Sequence, residues 1–423
     1  MNFYTYARHY GDKVLTRGIR NGERYTERHD FRPTLFVKSD KPSEYKSIYG
    51  ELVSPVKFET NKEATEFFNR YKEVSNFPIF GQNYYAYQYI TEKFPATIEW
   101  DAKDMLIYSI DIETSSEGGF PNVDMPDERL LLITLQDNST KKITTFGCGD
   151  FVPGDATKHL DVTYINCQDE KNLIQEFLIW WENNCPDVIT GWNSNLFDLP
   201  YIIARTERVL GENEHKRYSP FGLVNKRPIK FANREMTAYE ITGVAQLDYL
   251  DLYKKFTYVT RESYKLDFIA QTELGHKKLE SGFDTFKEFY DGDWNRFVEY
   301  NIIDTVLVDE LEDKMRLIQL ALTMAYDAKC NFGDVFSPVR LWDSLIYNYL
   351  WKQKVVIGQG GGRKESQIEG AYVQEPKPGS YEWVASFDAT SLYPSIIMQY
   401  NMRLYPMSLA MMLQWTISWT GIS

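Results

Sequence analysis

Histidine and cysteine, which build most zinc sites, are scarce in this sequence. It has five histidines and four cysteines in 423 residues, with no HExxH motif and no CxxC pair. The cysteines lie too far apart to predict a structural zinc site or a disulfide framework, and this favours a reducing compartment. They are Cys148, Cys167, Cys185 and Cys330.

Long apolar segments are absent as well. No run reaches the ~18 apolar residues that would predict a membrane-spanning helix. The first residues, MNFYTYARHYGDKV, lack the apolar stretch of a signal peptide. We therefore expect a cytoplasmic protein.

Positive charge is in deficit, because 47 Lys and Arg residues stand against 60 Asp and Glu residues, a net charge of −13. A nucleic-acid site would therefore need a local basic patch, or metal ions that screen the carboxylates. Aromatic residues, in contrast, are plentiful: 30 Tyr, 25 Phe and 10 Trp are enough for several cores or for stacking on bases.

The order of periodic segments predicts an α/β protein with α+β mixing, and the length predicts about three domains. Residues 1–100 show short β-type runs. From Met105 onward, MLIYSIDIE, LLLITLQD and KKITTF read as strands of one sheet, and DVITGWN as a buried strand followed by a loop. A further strand is predicted over Trp383–Asp388. The predicted helices are Thr60–Val74, Asn172–Asn183, Trp294–Met315 and much of residues 317–350.

Two carboxylates stand on one face of the first of these strands. Asp111 and Glu113 alternate with Ile110 and Ile112, so the acidic pair faces one way and the isoleucines the other. Two carboxylates this close repel each other, and the pKa of one would rise unless cations bind. The alternative is a strand end in water.

Two further motifs add to this pair. Asn193-x3-Phe197-Asp198 follows the buried strand DVITGW, and Tyr300-x3-Asp304 has the i, i+4 spacing that places phenol and carboxylate on one helix face. Taken separately, each Asp could be a helix N-cap, a surface residue or a salt-bridge partner. The specific signal is the combination, in the chain order DxE, Nx3FD, Yx3D.

The combination resembles the 3′→5′ proofreading exonuclease of B-family DNA polymerases, and the segments around it resemble the replicative polymerases of T-even-type tailed phages. The resemblance continues to about Asn401 through GWNSNLFDLPY, LDYLDLYKKF, SYKLDFIA, YNIIDT, EGAYVQEP and SFDATSLYPSII. It implies a ribonuclease-H-like exonuclease domain, flanked by a β-rich N-terminal domain and the start of a polymerase palm.

The resemblance also implies a domain plan and a location. It implies a phage-encoded protein in the host cytoplasm, acting on DNA with replisome proteins. The expected segments are an N-terminal domain (1–104), the exonuclease domain (105–316), a return segment packing on the N-terminal domain (317–360), the beginning of the palm (361–401) and an atypical apolar tail (402–423).

Carried over residue by residue, the resemblance implies a two-metal site. Asp111, Glu113 and Asp304 would hold one ion, and Asp111 with Asp198 a second; oxygen ligands suit Mg²⁺ or Mn²⁺. Tyr300 would orient the attacking water. The DNA substrate would be a single-stranded or frayed primer 3′ end, because matched terminal pairs must first be melted.

Substrate contacts are also implied. Asn193 and Phe197 would bind substrate, and Phe120 matches the position of a ring wedged between bases, with a loop-anchoring core Phe as the alternative. Several cations could contact phosphates or simply form a solvated basic face. They are Lys226, Arg227, Lys230, Lys254 and Lys255.

The palm motif is incomplete for nucleotide addition. Asp388 supplies one metal-binding carboxylate, and Leu392 and Tyr393 match positions near the incoming nucleotide, but no Asp or Glu follows Asp388. A second chain could carry the rest of the palm, as in a split polymerase. The chain could instead be a non-catalytic nucleic-acid-binding module, such as an RNA-binding translational repressor, or an inactive truncated product.

Overall fold

The computed structural model describes residues 1–74, 76–119, 121–231, 234–359, 370 and 372–400. Contacts within the chain divide it into two units, Met1–Lys364 and Glu365–Ser423.

The N-terminal part of the first unit is built from short strands, as its sequence predicts. Asn21 and Gly22 both have positive φ, which suits the two-residue turn between the second and third strands. Thr60 begins the first helix by accepting a hydrogen bond from the Glu63 amide at 3.1 Å. The elements are β1 (Asn2–Tyr10), β2 (Lys13–Arg20), β3 (Glu23–Asp30), β4 (Thr34–Lys38), β5 (Tyr45–Ser47), β6 (Leu52–Lys57), α1 (Asn61–Tyr71), β7 (Ile79–Phe80) and α2 (Tyr85–Lys93).

A mixed sheet with helices on both faces follows, which confirms the predicted fold class. Its strand order is β11-β10-β9-β8-β12-β15, with β8 antiparallel to β9 and parallel to β12. The elements are β8 (Ile107–Thr114), β9 (Leu130–Asp137), β10 (Ile143–Gly147), β11 (Val162–Asn166), α3 (Glu170–Asn183), β12 (Val188–Thr190), α4 (Asp198–Leu210), β13 (Val224–Phe231), β14 (Arg234–Ile241), β15 (Ala245–Gln246), α5 (Tyr249–Phe256), α6 (Leu266–Glu273), α7 (Phe286–Gly292) and α8 (Trp294–Met315).

Strand β8 lies in the middle of this sheet, between two cores. On one face, Ile110 and Ile112 join the core formed with α3 and α4. On the other face, residues of β9 pack with α7 and α8, where Phe297 and Ile302 are fully buried. The acidic side of β8 therefore faces α8.

The chain then returns to the N-terminal strands. Helices α9 (Leu317–Ala328) and α10 (Pro338–Trp351) lead to β16 (Val355–Val356) and β17 (Gly358–Gln359). Strand β16 pairs with β5 and β17 with β7, which completes a second six-stranded sheet of order β16-β5-β6-β4-β7-β17.

The described part of the second unit contains one helix, α11 (Leu392–Gln399). The strand predicted over Trp383–Asp388 is wrong: residues 372–400 contain no paired strand, because a β-type run becomes a strand only where another supplies a hydrogen-bond ladder. The predicted apolar tail, 402–423, lies outside the described residues. Within the described chain, no helix has both the length and the apolar character needed to cross a bilayer.

A buried ion-pair network joins the N-terminal strands to the central sheet. Asp187, 2% exposed, accepts hydrogen bonds from Thr5 at 3.0 Å and from the Leu106 amide at 2.9 Å, and it pairs with Arg24. Arg17 approaches the same carboxylate at 3.6 Å and donates to the carbonyls of Pro186 and Gly243. Sequence inspection found no signal for this network, because its members are scattered along the chain.

We expect Asp187→Ala to destabilise the fold strongly, because Arg17 would remain buried without its counter-charge. Loss of one partner of such a pair costs about 3–5 kcal/mol. Thermal unfolding monitored by circular dichroism measures the change. Glu59→Ala removes an exposed ion pair with Arg32 and should leave the midpoint unchanged. Equal midpoints for both variants would contradict the role assigned to Asp187.

Candidate active site

Asp111 and Glu113 come from the middle of β8. Their neighbours Ile110 and Ile112 are 1% and 4% exposed and face the opposite core. The two carboxylates share the other face, as alternation predicts, and both are partly exposed to solvent.

Helix α8 supplies the third carboxylate. Asp304 is buried, and its oxygen lies within 4.8 Å of oxygens of Asp111 and Glu113, all three atoms being mutually this close. These donors could hold a metal ion. Thus a strand and a helix separated by some 190 residues of sequence bring three of the predicted acidic residues together.

Asp198 lies beside this group but is not one of the three. It opens α4, is 4% exposed, and accepts a hydrogen bond at 3.1 Å from the amide of Ile112, between the two acids of β8. Asn193 has a positive φ of 67°, in the turn before α4. Asp248 holds that turn by accepting from the Asn193 and Asn195 amides at 3.1 and 2.9 Å.

Lys278 is the cation of the site, and sequence inspection missed it. Its ammonium pairs with Asp304 and lies 4.1 Å from the centre of the Tyr300 ring. Tyr300 lies one turn before Asp304 on α8, as the i, i+4 spacing predicts. The lysine follows a loop without periodicity, so no pattern singles it out.

Asn301 is a second residue that sequence inspection missed. It is fully buried, and its amide donates a hydrogen bond at 2.6 Å to the Asp111 carboxylate. The side-chain carbonyl oxygen of Asn301 accepts a hydrogen bond from the hydroxyl of Thr134 on β9, which is also buried. The amide therefore fixes one oxygen of Asp111. The signal that the sequence offered was a polar Asn directly after Tyr300 in the predicted helix.

Burial and mutual repulsion raise the pKa values of the four carboxyl groups. Burial raises the pKa of Asp111 well above its ordinary value, and the charges of Asp198 and Asp304 raise it further. Burial likewise raises the pKa of Glu113 to about 8, of Asp198 to about 7 and of Asp304 to about 6, with Lys278 opposing the shift at Glu113 and Asp304. The single charge of Lys278 is therefore too little to balance four carboxylates in this site.

Burial lowers the pKa of Lys278, but attraction from Asp304, Tyr300 and Asp111 outweighs it and raises the pKa overall. Burial also raises the pKa of Tyr300, to about 12. At neutral pH the site thus contains an ammonium ion and a protonated phenol beside the acidic side chains.

The other predicted residues lie elsewhere. Phe120 is outside the described residues, as is the side chain of Lys230. Phe197 precedes α4, its ring 5.5 Å from that of Tyr201. Asp388, Leu392 and Tyr393 belong to the second unit, the last two in the first turn of α11. Four basic residues are placed on two elements: Lys226 and Arg227 are exposed on β13, and Lys254 and Lys255 lie in the last turn of α5.

Two family models match the chain. The model described as the exonuclease domain of DNA polymerase family B matches residues 68–269, and the model described as DNA polymerase family B matches residues 340–409. Asp111, Glu113 and Asp198 fall inside the first match. Tyr300 and Asp304 lie between the two matches.

Curated relatives agree with these models. The DNA-directed DNA polymerase of Enterobacteria phage T4 is 33% identical over 94% of this chain and 46% of its own length. That of Escherichia phage RB69 is 31% identical over 94% of this chain and 47% of its own length. A DNA polymerase catalytic subunit of Elephantid herpesvirus 1 is 27% identical over 72% of the chain.

The chain spans about half the length of the phage relatives that it matches. The central mixed sheet corresponds to the exonuclease domain of the first model, which is ribonuclease-H-like. On the two family models and the phage relatives together, the chain belongs to DNA polymerase family B.

Proposed function

We propose that this chain removes nucleotides from the 3′ ends of DNA strands by metal-assisted hydrolysis, as the proofreading exonuclease of a phage replicative polymerase. The observation that carries the proposal is the group of three carboxylates with Asp198 beside it, on the exonuclease-type sheet. A surface that only binds DNA would be weakened by several carboxylates grouped together, because they repel the phosphates of the DNA backbone.

The donor set fits a hard divalent cation. All the ligand atoms are carboxylate oxygens, which suit Mg²⁺ or Mn²⁺. The Oδ1 atom of Asp304 is buried and has no hydrogen-bond partner among the described residues, so it is an acceptor that a cation would satisfy. Asp111, Glu113 and Asp304 would hold one ion, and Asp111 with Asp198 a second.

When bound, two such ions would supply the activated water and neutralise the scissile phosphate. The protein's own residues orient these groups. Tyr300, protonated at neutral pH, would donate its hydrogen bond to orient the attacking water. Lys278 positions Tyr300 and Asp304 together, and Asn301 fixes the carboxylate of Asp111.

The substrate would be a single-stranded or frayed 3′ end. Melting a matched terminal pair costs ~1.4 kcal/mol, and stacking on aromatic side chains returns ~1–3 kcal/mol per base. A mispaired end avoids much of the melting cost and is therefore cut first. Asn193 and Phe197, at the start of α4, would contact this end.

Asp388, Leu392 and Tyr393 would serve nucleotide addition rather than hydrolysis. Asp388 would be one metal-binding carboxylate of the palm, and a second chain or segment would have to supply another. Replisome proteins and the template–primer are the partners that such a polymerase would need.

We expect Asp111→Asn to lower Mg²⁺-dependent hydrolysis at least about 100-fold, because it removes a ligand shared by both ions. The amide oxygen can still accept the hydrogen bond from Asn301, so folding should survive. Release of nucleotides from 5′-labelled single-stranded DNA measures the activity. Asp313→Asn, an exposed change on the same helix, should keep it. Unchanged hydrolysis by the Asp111 variant would refute the site.

Metal should stabilise the protein most at high pH. Because the pKa of Glu113 is raised from 4.5 to about 8, the folded state keeps a proton that the unfolded chain loses. The free energy of unfolding of the metal-free protein therefore falls as pH rises between these values. At pH 8, Mn²⁺ at 100 times its Kd should raise the free energy of unfolding by about 2.7 kcal/mol.

Thermal unfolding in EDTA and in Mn²⁺, at pH 5 and pH 8, measures this effect. Glu113→Gln should lose most of the gain from Mn²⁺ and much of the pH dependence, whereas Asp313→Asn should keep both. An equal gain from Mn²⁺ in the wild type and in Glu113→Gln would mean that the metal binds elsewhere.

We expect no template-directed primer extension by these 423 residues alone, because Asp388 has no acidic residue after it. A primer-extension assay with the exonuclease silenced by Asp111→Asn tests this. Synthesis without a second polypeptide would overturn the palm assignment.

A further inference from the structure

The loop between α5 and α6, residues 257–265, carries an aromatic ring that the fold does not use. Here it is named the rim loop. The Tyr258 side chain is 101% exposed, and Val259 beside it is 57% exposed. Single exposed apolar residues are common on protein surfaces. Tyr258 differs from these because its loop contacts the candidate active site.

The C-terminal side of the rim loop contacts the candidate active site at two points. The Trp192 indole, next to Asn193, donates a hydrogen bond at 3.0 Å to the carbonyl of Tyr264. Just after the loop, Asp267 of α6 accepts from the Lys278 amide at 3.3 Å. The end of the loop that holds Tyr264 therefore lies next to the Asn193 turn, and the residues just after it contact the lysine that pairs with Asp304.

The length of the loop limits how far Tyr258 can lie from Tyr264, the loop residue that contacts Trp192. Tyr258 lies six positions before Tyr264, so at up to ~3.6 Å per residue the two are at most ~22 Å apart. Stacked nucleotides rise ~3.4 Å each. A strand that extends about six nucleotides or more from the site thus spans a length comparable to the largest separation between Tyr264 and Tyr258.

The charges around the ring also suit a nucleic-acid strand. Lys254 is exposed in the last turn of α5, and Lys265 is exposed at the end of the rim loop. Glu262 is the acidic residue of the loop, while Arg261 is paired with Glu273 at 2.6 Å. Exposed aromatic rings together with lysines are typical of surfaces that stack bases and bind phosphates, and here the lysines come four residues before Tyr258 and seven after it in the chain.

We propose that Tyr258 stacks on a base of the single strand upstream of the 3′ end, with Lys254 on the adjoining phosphates, and so helps to hold long substrates. This inference rests on the proposed exonuclease function and adds a binding element to it. Tyr258 is thus a substrate-binding residue remote from the reacting phosphate, and the hydrolytic step itself does not need it.

The test compares a long substrate with a minimal one. For hydrolysis of single-stranded dT12, Tyr258→Ala should raise KM roughly five- to tenfold with little change in kcat, because one stacked base is lost. Hydrolysis of the p-nitrophenyl ester of thymidine 5′-phosphate, which cannot reach the loop, should be unchanged. Tyr258→Phe keeps the ring and should behave like the wild type. Tyr349→Ala, an exposed tyrosine on α10, is the matched control.

Binding separates this inference from the proposed function. Fluorescence anisotropy with labelled dT12 in Ca²⁺ gives Kd without relying on hydrolysis. A Kd for Tyr258→Ala that is five- to tenfold weaker than that of the wild type supports stacking; an equal Kd overturns it. Failure of the wild type to hydrolyse either substrate would instead overturn the exonuclease proposal, and leave the binding result to decide the role of Tyr258.

Discussion

The repulsion among carboxylates grouped between β8, α4 and α8 is the constraint on which the rest of the site depends. Burial and like charge raise the pKa of Asp111, Glu113, Asp198 and Asp304 together. A fold concentrates negative charge in this way at a cost in stability, which cations bound from solution can offset. Lys278 supplies one positive charge, fewer than the four acids require.

The surrounding structure holds these acids in place against their repulsion. The back of β8 is packed with isoleucines, so the strand cannot turn its acidic side away without exposing its apolar one. The amide of Ile112 holds Asp198, and Asn301 holds Asp111. Backbone and neutral side chains thus orient the charged groups, while the core fixes the strand.

Sequence patterns predicted the parts of the site that repeat with a secondary-structure period. Alternation placed Asp111 and Glu113 on one face, and i, i+4 spacing placed Tyr300 with Asp304. Helix α8 was predicted with the bounds that the structure has. Lys278 and Asp187 were not found, because an ion pair between distant segments leaves no periodic trace. The strand predicted at Trp383–Asp388 failed for a related reason, since local β propensity does not supply a pairing partner.

Helix α8 presents Tyr300, Asn301 and Asp304 from adjoining turns, and its far end is anchored where Lys141 pairs with Asp309 at 2.7 Å. Each residue of an α-helix turns it by about 100°. A one-residue insertion or deletion between Tyr300 and Asp309 would thus rotate Asp309 by about 100° relative to the residues of the acidic site. The pair with Lys141 and the contacts of the site could then no longer form together. Evolution along this helix is therefore restricted to substitutions, while length changes are left to the loops on either side.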